Sequence, residues 1–219
     1  MKTYFKTVFV LFALLFTVTQ ISIAQVDLGI DIMSRYVWRG TDFGGSPSLQ
    51  PDISYTSGNL TIGGWAAMAT NGNPAGSEID FYASYALGNF SLNIADYTFP
   101  EASFGNYFEP ESHFVEVGIG YSGTEVFPIS ITTGMFVAND DDYSIYAELG
   151  YSFSNVELFM GFTPAESAMY GTSKAGIVNT GLTASQDVQI TDLFSIALSG
   201  SVIVNPYANN AFFLFGLGF

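Results

Sequence analysis

The chain has 219 residues, a formal net charge of −15 and only five basic residues, which argues against a nucleic-acid partner because such partners need a basic surface. Charged residues make up 11% of the sequence, whereas soluble domains contain about 25%. There is no cysteine, which is compatible with export to an oxidising compartment.

The first 24 residues have the three parts of a secretory signal peptide. Lys2 and Lys6 form a basic start, residues 8–18 form an apolar core, and Ser22-Ile23-Ala24 forms a small-x-small cleavage site. A membrane anchor helix is the alternative, but this apolar core is too short for one. We therefore predict a signal peptide at residues 1–24 and one mature domain at residues 25–219.

The next segment, residues 26–38, alternates strictly between apolar and charged positions. Val26, Leu28 and Ile30 share one parity, while Asp27 and Asp31 share the other, and a period of two places these sets on opposite faces of a β-strand. Twelve segments are read as strands in this way: 26–38, 48–56, 59–70, 77–87, 90–99, 113–121, 129–137, 143–153, 156–162, 176–186, 194–204 and 211–219. They predict an all-β fold, a transmembrane antiparallel up-and-down β-barrel of about 12 strands.

The connections agree with a barrel in a membrane. Ser57-Gly58, Gly88-Asn89 and Ser154-Asn155 are predicted two-residue hairpin turns, and the first of them would place Ser54 opposite Thr61. Connections after odd-numbered strands are mostly longer. Outer-membrane barrels have short periplasmic turns and longer outer loops, so both termini are predicted to be periplasmic and the location to be the cell outer membrane.

The final segment, residues 211–219, ends the chain on an aromatic residue. Phe213, Phe215, Leu217 and Phe219 share one parity, and the segment resembles the C-terminal strand signal that barrel-assembly machinery recognises in outer-membrane proteins. An ordinary apolar last strand is the alternative. The terminal phenylalanine favours the signal, so assembly machinery and outer-membrane lipid are the predicted partners.

The first half of the mature chain resembles a known family. The opening run contains Ser34, Tyr36, Arg39 and Gly40, followed by Gly64-Trp65 and then by Tyr97, Phe99 and Pro100. In this order the motifs are similar to those of the TorF-type porins of Gram-negative outer membranes. The resemblance implies a small outer-membrane barrel acting as a porin, and it implies no particular substrate and no catalytic residues.

Ten charged residues are predicted to line the lumen because their parity is opposite to that of the apolar face. Arg35 and Arg39 should point inward, since an arginine facing lipid at mid-bilayer costs about 2–4 kcal/mol. Asp52 is the expected partner of Arg35. We favour structural ion pairs over a ligand-steering cluster, because buried charges are usually paired. The full set is Asp27, Asp31, Arg35, Arg39, Asp52, Glu78, Asp80, Glu116, Glu148 and Glu157.

Two further groups could be functional, but each has a simpler interpretation. His113, the one histidine, would have to be the base of a lipid hydrolase, yet its parity places it on the lipid-facing side near the outer rim. The acidic run at residues 139–142 could bind calcium, but it lacks the glycine and the distal glutamate of a calcium loop, and a solvated loop tip is favoured. We predict no catalytic residues, no metal site and no cofactor.

These observations leave three classes of function. A channel for small solutes or cations with an acidic lumen is preferred. A closed structural or adhesive barrel that acts through its outer loops is the alternative, and an outer-membrane lipid enzyme comes third. Twelve strands lie between filled eight-stranded barrels and open sixteen-stranded ones. Bulky residues of inward parity would narrow the lumen: Trp65, Tyr82, Tyr97, Phe114, Tyr146 and Phe159.

Overall fold

The computed structural model describes residues 25–100, 107–192 and 194–219. The predicted signal peptide at residues 1–24 lies outside these residues. The described part of the chain contains fourteen β-strands and two single-turn 3₁₀ helices, Pro74–Gly76 and Pro110–Ser112. None of the helices among these residues is long and apolar enough to cross a membrane.

Twelve strands form one closed antiparallel barrel, which confirms the predicted fold class. Each barrel strand pairs with the barrel strands before and after it, and the first strand closes the barrel by pairing with both the second and the last. The barrel strands are β1 Gln25–Met33, β4 Ser48–Ser57, β5 Leu60–Ala69, β6 Glu78–Leu87, β7 Phe90–Thr98, β8 His113–Tyr121, β9 Ile129–Ala138, β10 Ile145–Phe153, β11 Val156–Thr163, β12 Gly176–Thr191, β13 Phe194–Asn205 and β14 Asn210–Gly218.

The seam between β1 and β14 has few ladder pairs and is extended by bonds at both of its ends. Three pairs join the strands, from Asp31 opposite Gly218 to Met33 opposite Gly216. Beyond them, Phe219 N donates to Ile30 O at 3.1 Å. Closure leaves no free strand edge, which is how a barrel satisfies its backbone groups without water.

The two faces of the wall separate as the alternation predicts. Apolar side chains on the outer face stay exposed, with 74% for Leu28 and 68% for Phe213. Side chains of the opposite parity point into the lumen, where Glu78 and Glu116 are buried. The outside is therefore an apolar belt, and the lumen holds carboxylates together with an aromatic and apolar cluster around Phe136, Tyr146 and Val178.

Two of the three predicted hairpin turns are confirmed and one is displaced. Leu87 pairs with Phe90 and Phe153 with Val156, as expected. The first turn, however, is Gly58-Asn59, because Ser57 pairs with Leu60. Ser54 therefore faces Gly63 rather than Thr61. The register differs by two residues, so every side chain keeps its predicted face.

The first predicted strand is wrong in its second half. The wall strand β1 ends at Met33, and the residues expected to continue it form β2, Tyr36–Trp38. β2 pairs with β3, Thr41–Phe43, in a separate two-stranded sheet. The expected outer loop at residues 39–47 is thus partly a hairpin strand. We call residues 35–43 the lumen hairpin, because its side chains contact inward-facing residues of the wall.

Candidate functional site

The lumen hairpin turns inward where β1 ends. Ser34 still belongs to the wall, since its N–H donates to Phe215 O at 2.8 Å. One face of the hairpin then packs on inward aromatic rings of the wall. Tyr36 lies 5.2 Å from Trp65 and Trp38 lies 5.6 Å from Tyr97, measured between ring centroids. Because these are the wall residues predicted to narrow the lumen, the hairpin and the wall together fill it at this level.

The tip of the hairpin is a tight turn that reaches the far wall. Arg39 and Gly40 both have positive φ, 47° and 80°, as a type I′ hairpin turn requires. A Cβ on Gly40 would lie 2.0 Å from Val178 O, so the position accepts only glycine. Asn205 Nδ2 donates to Gly40 O at 3.2 Å. The tip is therefore fitted against β12 and β13.

The side chain of Arg39 is enclosed by one carboxylate and three aromatic rings. Its Nη1 and Nη2 donate to Glu116 Oε1 and Oε2 at 2.6 and 2.9 Å, a two-bond geometry that favours guanidinium. Nη1 also donates to the Tyr170 hydroxyl at 2.5 Å. The Cζ atom lies 4.5 Å from the Trp38 ring centre and 4.3 Å from that of Tyr146, within cation–π range. We call Glu116, Trp38, Tyr146 and Tyr170 the guanidinium cage.

Charge in the cage is stabilised despite burial. Burial alone would lower the pKa of the Arg39 guanidinium, but the hydrogen bonds that it donates to Glu116 and the favourable electrostatics of Glu116 and the neighbouring tyrosines together outweigh burial, and the net shift is upward. Burial raises the pKa of the Tyr170 hydroxyl, so this group stays neutral and accepts from Arg39. The Arg39 and Glu116 side chains are only 13% and 8% exposed. A buried pair of this kind is costly to break from one side.

Two further contacts hold the hairpin. The Tyr36 hydroxyl donates to Glu78 Oε2 at 2.7 Å. Arg35 forms an ion pair with Asp42, so the predicted partner Asp52 is wrong. Asp42 lies diagonally across the β2–β3 pair from Arg35, on the same face, a neighbour that exists only once the hairpin has formed. One carboxylate oxygen of Asp42 is buried without a hydrogen-bond partner among the described residues.

The predicted lumen acids divide into two groups. Four lie around the hairpin and are buried or half-buried, whereas the other four are half-buried or exposed. In the first group, Glu148 accepts from Asn179 Nδ2 at 2.8 Å. In the second, the carboxylate of Asp52 lies over Gly29. The first group is Glu78, Asp80, Glu116 and Glu148, and the second is Asp27, Asp31, Asp52 and Glu157.

Sequence comparison places this barrel among proteins without an assigned activity. Residues 19–197 match the family Gcw_chp, which is described as a bacterial protein of unknown function. The chain belongs to the Gcw_chp family. No curated protein matches the sequence. The match carries no TorF-type name, so that resemblance stays a prediction.

Three of the solved structures similar to this Gcw_chp chain are substituted variants of the porin of Rhodopseudomonas blastica. One has a TM-score of 0.42 at 15% identity, another 0.41 at 14%, and a triple mutant 0.39 at 14%. In each case 78% of this chain is covered. The chain spans about half of the porin, 55% of its length.

His113 of the Gcw_chp barrel has the outward parity that was predicted. Its Nδ1 lies 2.9 Å from Asp96 Oδ2 and 3.3 Å from Thr98 Oγ1, while Nε2 lies 2.7 Å from Tyr107 O. The carboxylate and the hydroxyl contact the same ring nitrogen, and Thr98 is buried. In this arrangement the histidine links Tyr107 to the wall at Asp96 and Thr98.

The acidic run at residues 139–142 is bonded to neighbouring backbone. Asp140 Oδ2 accepts from Ser144 N at 2.6 Å, and Asp142 Oδ2 accepts from Ala168 N at 2.8 Å. Asp141 is exposed. Among the described residues, no group of three histidines, cysteines or acids is arranged to hold a metal ion. These carboxylates thus anchor connections in the Gcw_chp barrel.

Several residues of this site were not predicted from the sequence: Tyr36 and Trp38 as inner residues, Asp42, and Tyr170. Trp38 shares the parity of the outward residues in β1, but the chain leaves the wall before reaching it. The available signal was Arg39-Gly40, a pair suited to a type I′ turn, with alternating residues on both sides. Tyr36, Trp38 and Phe43 then fall on one face of the hairpin.

Proposed function

We propose that the protein is an outer-membrane channel for small solutes that prefers cations. The observation that carries the proposal is the contrast between the apolar outer belt and the acidic lumen of a closed 12-strand barrel. An apolar belt suits lipid, and carboxylates in a confined pore favour cations. The resemblance to TorF-type porins points in the same direction.

The lumen hairpin acts as the gate of this channel. It fills the half of the lumen next to the long connections, and it is bound to the wall through hydrogen bonds, one ion pair and ring contacts. Such polar contacts can be exchanged for water or for a solute, whereas a continuous apolar core cannot. Conduction then requires the Arg39–Glu116 ion pair to break, so that the hairpin can move away from the wall.

A closed structural or adhesive barrel is the second candidate. The occluded lumen favours it, because a permanently seated hairpin leaves only the outer loops to act on partners. The two candidates differ in one measurable property, which is ion flow through the purified protein. We propose no enzymatic activity, since His113 lies outside the lumen and contacts a buried threonine.

Location and assembly follow from the same proposal. The signal peptide at residues 1–24 directs export, both termini face the periplasm, and outer-membrane lipid surrounds the apolar belt. Recognition by barrel-assembly machinery is supported by the outward aromatic residues of β14 and by Phe219 beside it, which stay exposed. No cofactor is required for any of these steps.

The test is single-channel recording of the mature protein in planar bilayers. Circular dichroism dominated by β-structure, and gel mobility that changes on heating, would first establish a folded barrel. We expect discrete currents with a reversal potential that favours potassium over chloride. Folded protein that never conducts, even with the lumen hairpin replaced by a short glycine-serine linker, would refute the channel and leave the closed barrel.

A further inference from the structure

The guanidinium cage resembles a binding site that is occupied by the chain's own side chain. A planar cation lies between two carboxylate oxygens and the faces of aromatic rings, with its charge almost entirely removed from water. These are the features by which proteins recognise cationic ligands. Among the described residues, Arg39 is the group that occupies this position.

Three of the four cage residues lie outside the lumen hairpin and are held without it: Glu116 and Tyr146 on wall strands, and Tyr170 in the connection between β11 and β12. The Tyr97 hydroxyl donates to Glu116 Oε2 at 2.9 Å. The Glu116 carboxylate also packs directly on the backbone of Gly134, where an added Cβ would come within 2.2 Å of Oε1. Tyr170 is anchored through its own N–H, which donates to Ser167 Oγ at 3.1 Å. The Glu116 carboxylate and the Tyr146 and Tyr170 rings therefore stay in place if Arg39 withdraws, whereas Trp38 stays only while the lumen hairpin keeps its position.

A second observation also points to a polar ligand beside the cage. Asn179 is buried, and its Nδ2 donates to the Tyr146 hydroxyl at 3.1 Å and to Glu148. Its Oδ1 is buried with no hydrogen-bond partner among the described residues. A buried acceptor next to a cation cage can receive an N–H from a ligand that extends beyond the position of Arg39.

We infer that this cage is a binding site for solutes that carry a guanidinium group, closed in the present state by Arg39 as an internal ligand. The two-bond geometry of Glu116 selects a planar fork over an ammonium ion, which presents its donors from a single point. A role of the cage as the selectivity site of a channel rests on the proposed function. Its role as a binding site does not.

The test removes the internal ligand and supplies it as a free molecule. Arg39→Gly is suitable, because Arg39 has a φ of 47° and glycine keeps the turn. Methylguanidinium is titrated into the folded variant in detergent while the fluorescence of the two tryptophans is recorded. We expect saturable binding in the millimolar range, about tenfold weaker binding of methylammonium, and about tenfold weaker binding after a second change, Glu116→Gln.

Controls separate the cage from general charge effects. Arg35→Ala removes the other hairpin arginine without emptying the cage, so it should bind no methylguanidinium. If Arg39→Gly does not fold, the titration uses Arg39→Asn, because asparagine also tolerates positive φ. A folded variant that binds no better than Arg35→Ala overturns the inference. Binding without any current in bilayers refutes the channel but not the site, and current without binding refutes the site alone.

Discussion

Loss of the Glu116 charge should release the lumen hairpin. Glu116→Gln keeps the shape of the side chain but leaves the Arg39 guanidinium, 13% exposed, without a counterion. Removing one partner of a buried pair costs about 3–5 kcal/mol, and the lower figure applies here because the amide oxygen can still accept one hydrogen bond. This free energy is lost by the hairpin in its position in the lumen and not by the barrel, because β8 keeps all its backbone hydrogen bonds to the neighbouring strands.

The magnitude sets the expected population shift. A loss of about 3 kcal/mol corresponds to roughly a hundredfold increase in the displaced form, at about 1.4 kcal/mol for each factor of ten. In bilayers, the open probability should rise by up to this factor. In a Trp65→Phe background, Trp38 is the one remaining tryptophan, and its quenching by acrylamide should increase because the hairpin carries it out of the packed lumen.

A double-mutant cycle tests whether the effect runs through the ion pair. Once Arg39→Gly has removed the guanidinium, adding Glu116→Gln should change open probability by less than about threefold, because no buried cation is left unpaired. Arg35→Ala in place of Arg39→Gly is the matched control and should leave the Glu116→Gln effect intact. If Glu116→Gln alters neither open probability nor Trp38 quenching, the ion pair does not hold the hairpin.

Three other predictions follow from the same geometry. Gly40→Ala should raise open probability as Glu116→Gln does, because the added Cβ would collide with the carbonyl oxygen of Val178. The control is Gly45→Ala, since Gly45 has a similar φ of 61° but nothing within 4 Å of an added Cβ. Equal currents from the two variants would contradict the prediction. Asp80→Asn combined with Glu148→Gln should lower the potassium preference measured by reversal potential, and the wild-type preference should fall as salt rises; anion selectivity at low salt would refute the acidic lumen. His113→Ala should leave conductance within twofold of wild type, and abolished conductance would place this residue in the pore.

The barrel could be predicted from sequence because its wall obeys one simple rule. Each strand has the apolar outer surface on one side and the lumen on the other, so the period of two indicates directly which side each residue faces. The predicted strand at residues 113–121 agrees with β8 to the residue. The displaced turn at Gly58-Asn59 left every side chain on its predicted face of the sheet, because a register shift of two residues preserves the alternation.

The hairpin could not be separated from the wall by the same rule. Tyr36 and Trp38 continue the alternation of β1, and a two-stranded hairpin alternates just as a wall strand does. A period of two indicates that a segment is extended, but it does not indicate which strand that segment pairs with. The partner of Arg35 was missed for that reason, because Asp42 becomes a neighbour only through pairing of β2 with β3.

The cage gives the closed state a specific kind of stability. If Arg39 withdrew alone, it would leave Glu116 buried and uncompensated, so spontaneous opening is unfavourable. A guanidinium solute that took the place of Arg39 would restore the pairing, and the cost of opening would shrink to that of moving the rest of the hairpin. A ligand shifts a two-state equilibrium only by its difference in affinity between the states. Such a difference is present here, because Glu116, Tyr146 and Tyr170 are free to bind a solute in the open state and are occupied by Arg39 in the closed state. Opening and solute entry would then be one exchange reaction, and a cation unable to form two bonds with Glu116 would need a higher concentration to open the barrel.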